Sequence, residues 1–138
     1  MLTVTRVSPE KMTSFAAGIE QFNQQDFYAC HDTLEAVWLE AEPGDKRFYQ
    51  GILQVAVGCY HLQNQNHAGA MILLGEGIHR LKHYRPDYQN IDVEALLQDS
   101  NRLLRTLQAL EPDTLSVWLA NQDHGELILR VSWLDPNR

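Results

Sequence analysis

Apolar residues recur along this chain at three- and four-residue intervals, in blocks separated by turn residues. That is the pattern of a helical bundle. Met12, Phe15, Ala16, Ile19 and Phe22 form a first stripe ending at Asn23. Ser8-Pro9-Glu10 supplies its start, a capping hydroxyl ahead of a proline at the first helical position. A second helix is expected from about Asp26 to a turn at Pro43-Gly44-Asp45, and a third from about Lys46 to Asn64. After Asn64-Gln65-Asn66, a fourth carries Ala70, Met71, Leu74, Ile78 and Leu81, and Pro86 stops it shortly after Tyr84. Asp92 is placed to cap a fifth, with Val93, Leu96, Leu97, Leu103, Leu104, Leu107 and Leu110 facing inward. Glu111-Pro112-Asp113 opens a short sixth bearing Leu115, Trp118 and Leu119. From Gly125, Leu127, Leu129, Val131 and Trp133 alternate with Ile128, Arg130 and Ser132, which reads as an extended segment over the bundle, with no partner strand in view.

The third helix is apolar on two sides. Leu53 and Val57 lie on one, with Gln50, Gln54 and His61; Phe48, Ile52, Val55, Cys59 and Leu62 lie on the other. Such a helix is surrounded by its neighbours. Gly51 and Gly58, seven residues apart, line one flank and weaken the helix, so they predict close approach of another helix. The expected fold is all-α: one domain over residues 1–138, a compact bundle of five to six helices around a buried central helix, with a short irregular or extended C-terminal tail.

Composition narrows the function. Hydrophobic residues make up 44% and charged residues 21%, which suits a globular chain. A net charge of −7 argues against nucleic-acid binding by phosphate neutralisation. The uncharged run from Phe48 to Leu62 is shorter than the ~18–20 apolar residues a membrane span needs. Cys30 and Cys59 have no metal-knuckle spacing and fall among apolar residues, which predicts buried free thiols. No secretory leader is recognisable, so a cytoplasmic location is expected. The leucine-rich fifth helix with Trp118 and Trp133 is a candidate surface for a homodimer or protein partner, or else closes the bundle.

The strongest chemical clue is His31-Asp32-Thr33-Leu34-Glu35-Ala36-Val37-Trp38. On a helix, Phe27, His31, Leu34, Glu35 and Trp38 share one sector, read here as the buried stripe. An imidazole and a carboxylate there require a partner or a metal. Antiparallel packing of the second and third helices sets Glu35 level with Gln54, Trp38 near Gln50, and His31 level with Val57, one turn short of His61. Two readings follow. His31, Glu35 and His61 are candidate ligands for zinc, iron, manganese or nickel, with Gln50, Gln54 and Trp38 orienting them; alternatively, the same groups form a buried hydrogen-bond network that fixes helix register. His79 and His83 also have chelating spacing but lie off the apolar stripe, which favours a solvated pair.

The motifs Phe22-Asn23, Phe27-Tyr28, His31-Asp32-x-x-Glu35-x-x-Trp38, Phe48-Tyr49-Gln50-Gly51-Ile52-Leu53-Gln54, Tyr60-His61 and Gly69-Ala70-x-x-Leu73-Leu74 together resemble the domain-of-unknown-function family numbered 309. The resemblance spans about residues 15–84; the helices and tail after about residue 90 lie outside it. It implies a small helical bundle and, through a label sometimes attached to the family, a metal-dependent hydrolase. Carried over by position, that label falls on His31, Glu35, Gln54 and His61. Asp32 stands where the family usually has glutamate, and its shorter side chain weakens any role there as base or ligand.

Overall fold

A computed structural model describes residues 9–121 and 129–135. Ser8, Gly125, Leu127 and Ile128 therefore lie outside the described residues. The helices are α1 (Pro9–Asn23), α2 (Phe27–Leu39), α3 (Pro43–Gln63), α4 (His67–Leu81), α5 (Val93–Ala109) and α6 (Leu115–Ala120). Short 3-10 turns follow α4 at Lys82–Tyr84 and precede α6 at Pro112–Thr114.

Local chemistry accounts for the starts. Asp26 accepts from the Ala29 amide, Asn66 from that of Gly69 and Asp92 from that of Ala95, at 3.3, 2.9 and 3.0 Å. Each satisfies one of the amides a helix leaves unpaired at its first turn. At α3 the boundary differs from expectation. Pro43 does not form a turn ahead of the helix but opens it, because proline's fixed φ and missing N–H suit the first helical position.

α3 is the buried centre, as its two-sided pattern predicts. Phe48, Tyr49, Gly51, Ile52, Leu53, Val55, Ala56, Gly58 and Cys59 are all buried, with α2 packed on one flank and α4 on the other. The glycines act on the α4 side. A Cβ on Gly58 would lie 3.1 Å from the Leu74 amide nitrogen, and one on Gly51 would lie 2.8 Å from the Leu81 side chain. α1 packs on α2, and α5 on α4. The leucine stripe of α5 faces this same core: Leu96, Leu97, Leu103 and Leu107 are buried and Leu104 and Leu110 partly so. His67 ties the layers together, its Nε2 donating to the Leu107 carbonyl at 2.7 Å in a buried contact.

The extended tail has the partner that the linear pattern could not supply. β1 (Asp87–Tyr88) and β2 (Ile91–Asp92) form a small antiparallel hairpin, and Trp133 bridges Ile91 on its outer edge. The Asp92 amide donates to the Ser132 carbonyl at 2.8 Å, and the Leu134 amide to that of Asn90 at 2.7 Å. Asn23, the last residue of α1, imitates a strand on the other side: its amide group donates to the Val131 carbonyl at 2.9 Å and its oxygen accepts from the Val131 N–H at 2.8 Å. Leu129 and Val131 are thereby buried, and Trp133 meets the edge of Phe15.

Candidate functional site

The buried face of α2 consists of Phe27, Cys30, Leu34 and Val37. Compared with the expected stripe, the helix is turned by roughly 60° about its axis. The consequence for the site is direct. Glu35 is not enclosed: its side chain is 48% accessible, and that of His31 is 37% accessible. Tyr28 is 62% exposed. Trp38 is half-buried on the flank facing α3, with the Lys46 ammonium 5.8 Å from its ring centroid.

At one level the pairing of α2 with α3 is the expected one. His31 stands beside Val57, and His61 lies across from it on the same hollow, whose volume is about 170 Å³. Tyr28 and Tyr60 complete the wall, their ring centroids 5.9 Å apart. His31 Nε2 lies 3.9 Å from a Glu35 carboxylate oxygen, while Nδ1 lies 3.3 Å from Asp32 Oδ1. The two carboxylates thus flank opposite edges of one imidazole.

Gln54 is elsewhere engaged. It donates to Glu76 at 3.1 Å and accepts from Arg80 at 3.0 Å, both on α4. The expected Glu35–Gln54 contact is not formed, because Gln54 projects over the α3–α4 seam while Glu35 turns towards solvent. Gln50 is half-buried on α3. His61 is held by Asn66, whose side-chain N–H points at Nδ1 across 3.4 Å. Since the Asn66 oxygen is occupied by the helix cap, this pairing leaves the ring proton on Nε2. His31 and His61 thus line one hollow, with Glu35 beside His31. Among the described residues, no three histidine, cysteine, aspartate or glutamate side chains gather around one point. His79 and His83 are exposed, with ring centroids 6.0 Å apart.

Cys30 and Cys59 are the perturbed titratable groups beneath this face. Burial pushes both thiols up to about 12 from an ordinary 9.0, assisted by the Asp26 carboxylate at Cys30 and by Cys30 itself at Cys59. Neither is a nucleophile at neutral pH. Folded protein should leave both thiols unreacted with a thiol-exchange dye at pH 8 over a period in which urea-unfolded protein reacts fully. Rapid reaction of either in the folded state would refute their burial. Because the folded values are raised, their contribution to stability is intact below pH 9 and is lost as pH rises towards 12.

The fold is that of a small helical protein with a hollow lined by Tyr28, His31, Val57, Tyr60 and His61 between its second and third helices. Residues 15–73 match the model of the family described as Domain of unknown function (DUF309), and that segment is a DUF309 domain. The chain is also similar to the uncharacterized protein YpuF of Bacillus subtilis (strain 168), 36% identical over 93 residues, which is 67% of this chain and 51% of that protein. It therefore spans about half the length of the curated relative it matches. No solved structure matches. The matched segment ends within α4, so it contains the whole α2–α3 face. Among the described residues, no helix is long and apolar enough to cross a membrane.

Proposed function

We propose that this protein is a non-catalytic binding module working through the outer face of α2 and α3. One observation carries the reading. Among the motif residues, one set, Phe22, Phe27, Phe48, Tyr49, Gly51 and Ile52, builds the core, whereas a second, Tyr28, His31, Asp32 and Glu35, reaches solvent beside one hollow. Packing accounts for the first set but not for the second, and polar and aromatic residues outside a core are those used in recognition. The buried free thiols support a reducing, cytoplasmic setting.

A photocrosslinking residue placed at position 28 or 35 in the producing cell should give a discrete adduct. The same residue at Gln98, on the exposed surface of α5, should not. Equal adducts from both faces, or none from either, would remove this reading.

A metal-dependent hydrolase is the second reading, favoured by the facing His31 Nε2 and Glu35 carboxylate one helical turn apart. When bound, a divalent ion would supply Lewis acidity and an activated water. The donors present fit two ligands and not three, so no catalytic step is derived through it. Equilibrium dialysis against zinc or manganese is its first test: one ion per chain, lost in both His31→Ala and Glu35→Gln, would support the metal site this reading needs, and no retained ion would end it.

A further inference from the structure

We infer that the hollow between α2 and α3 receives an arginine side chain of a protein partner. The inference rests on the α2–α3 face being a binding surface and names what it binds. Five side chains line the hollow: Tyr28, His31, Val57, Tyr60 and His61. Two phenol rings, inclined at 44° with centroids 5.9 Å apart, provide π surface, and Val57 provides an apolar floor for a methylene stem. The His61 ring adjoins Tyr60 at 6.3 Å. Beside His31, the Asp32 and Glu35 carboxylates lie 3.3 and 3.9 Å from its ring nitrogens and are accessible acceptors at 65% and 48% side-chain exposure.

This combination selects a ligand with three properties. It carries positive charge, because the carboxylates and a chain charge of −7 repel anions. It is planar or polarisable, because aromatic faces attract cations through their quadrupole. It has an apolar stem long enough to cross Val57 before the charge meets the rim. Arginine has all three, and its guanidinium stacks on rings and forks to carboxylates where the compact lysine ammonium does neither as well. Elsewhere between α2 and α3 the chain itself sets a cation against a ring, the Lys46 ammonium lying 5.8 Å from the Trp38 centroid.

The test is a titration with acetyl-arginine-methylamide, followed by the NMR signals of the Val57 methyls and the Tyr28 and Tyr60 rings at pH 7.5. Its citrulline counterpart, which keeps the shape and loses the charge, is the control. Arginine should give saturable shifts confined to the hollow, and citrulline should bind about tenfold more weakly. Tyr28→Ala and Glu35→Gln should each weaken arginine binding by about two- to fivefold. Both positions are exposed, so an unchanged spectrum elsewhere verifies the fold. Equal binding of arginine and citrulline would overturn the cationic ligand while leaving the face as a binding surface. Absence of shifts with either compound would overturn the inference outright, and adduct formation at positions 28 and 35 then judges the face separately.

Discussion

Phe48→Ala should lower the unfolding free energy by about 3–5 kcal/mol, the largest loss expected from a single truncation on α3. Phe48 is wholly buried, and its ring meets those of Phe15, Tyr49, Tyr84 and Tyr88 at centroid distances of 5.9, 5.6, 5.4 and 4.8 Å. These partners belong to α1, α3, the turn after α4 and β1, so the void would open where four parts of the chain meet. Tyr84 and Tyr88 are further held by hydroxyl bonds to the Gly44 carbonyl and the Asp45 carboxylate at 3.2 and 2.6 Å, which restricts collapse into the void. Domains of this size are stable by about 5–15 kcal/mol, so the variant should be near the edge of folding at 37 °C. Urea titration measures it: the midpoint should fall with little change in slope. A loss below about 1 kcal/mol would mean that this junction is not packed as described.

Gly77→Ala should destabilise by about 2 kcal/mol, although alanine is the better helix former by about 1 kcal/mol. A Cβ at position 77 would lie 2.8 Å from the Gly51 carbonyl oxygen, 3.0 Å from the Val55 amide nitrogen and 2.7 Å from Val55 Cγ2. A side-chain methyl can move, but the backbone of a central helix cannot without separating α3 from α4. Gly75 provides the internal control, since nothing lies within 4 Å of its Cβ position. Gly75→Ala should therefore stabilise by roughly 0.5–1 kcal/mol through helix propensity alone. Thermal melts of both variants beside the parent should move in opposite directions. A shared sign would refute the close α3–α4 contact.

Much of this architecture was readable before any coordinates. Asp26 and Asp92 announced helix starts and Asn64-Gln65-Asn66 a turn, because caps and turns depend on residues a few positions away. The apolar stripe of α5 marked its apolar face, since mostly polar residues occupy the remainder of that helix, but not whether the bundle or a partner covers it. Gly51 and Gly58 signalled a close neighbour, though not that α4 would be the one. His67 escaped notice, because its only clue is a buried contact with the Leu107 carbonyl 40 residues away.

The site shows where linear reading stops. The level at which His31 meets Val57 and His61 followed from counting outward from a short connection. The rotation of α2 did not. Its apolar residues (Phe27, Ala29, Cys30, Leu34, Ala36, Val37, Trp38 and Leu39) cover more than half its circumference, so two orientations bury similar area. Contact with both α1 and α3 selects the one that buries Cys30 and Val37 and leaves Glu35 in water.

From the sequence alone came the number of helices, their approximate limits, the centrality of α3 and the level of α2 against it. Those properties arise from caps, period and connection length, which act over a few residues at a time. Tertiary structure decided the exposure of His31 and Glu35, the pairing of Gln54 with α4 and the anchoring of the tail by Asn23 and Ile91. Each of these depends on how surfaces distant in the chain compete for the same space, and no local pattern encodes that competition.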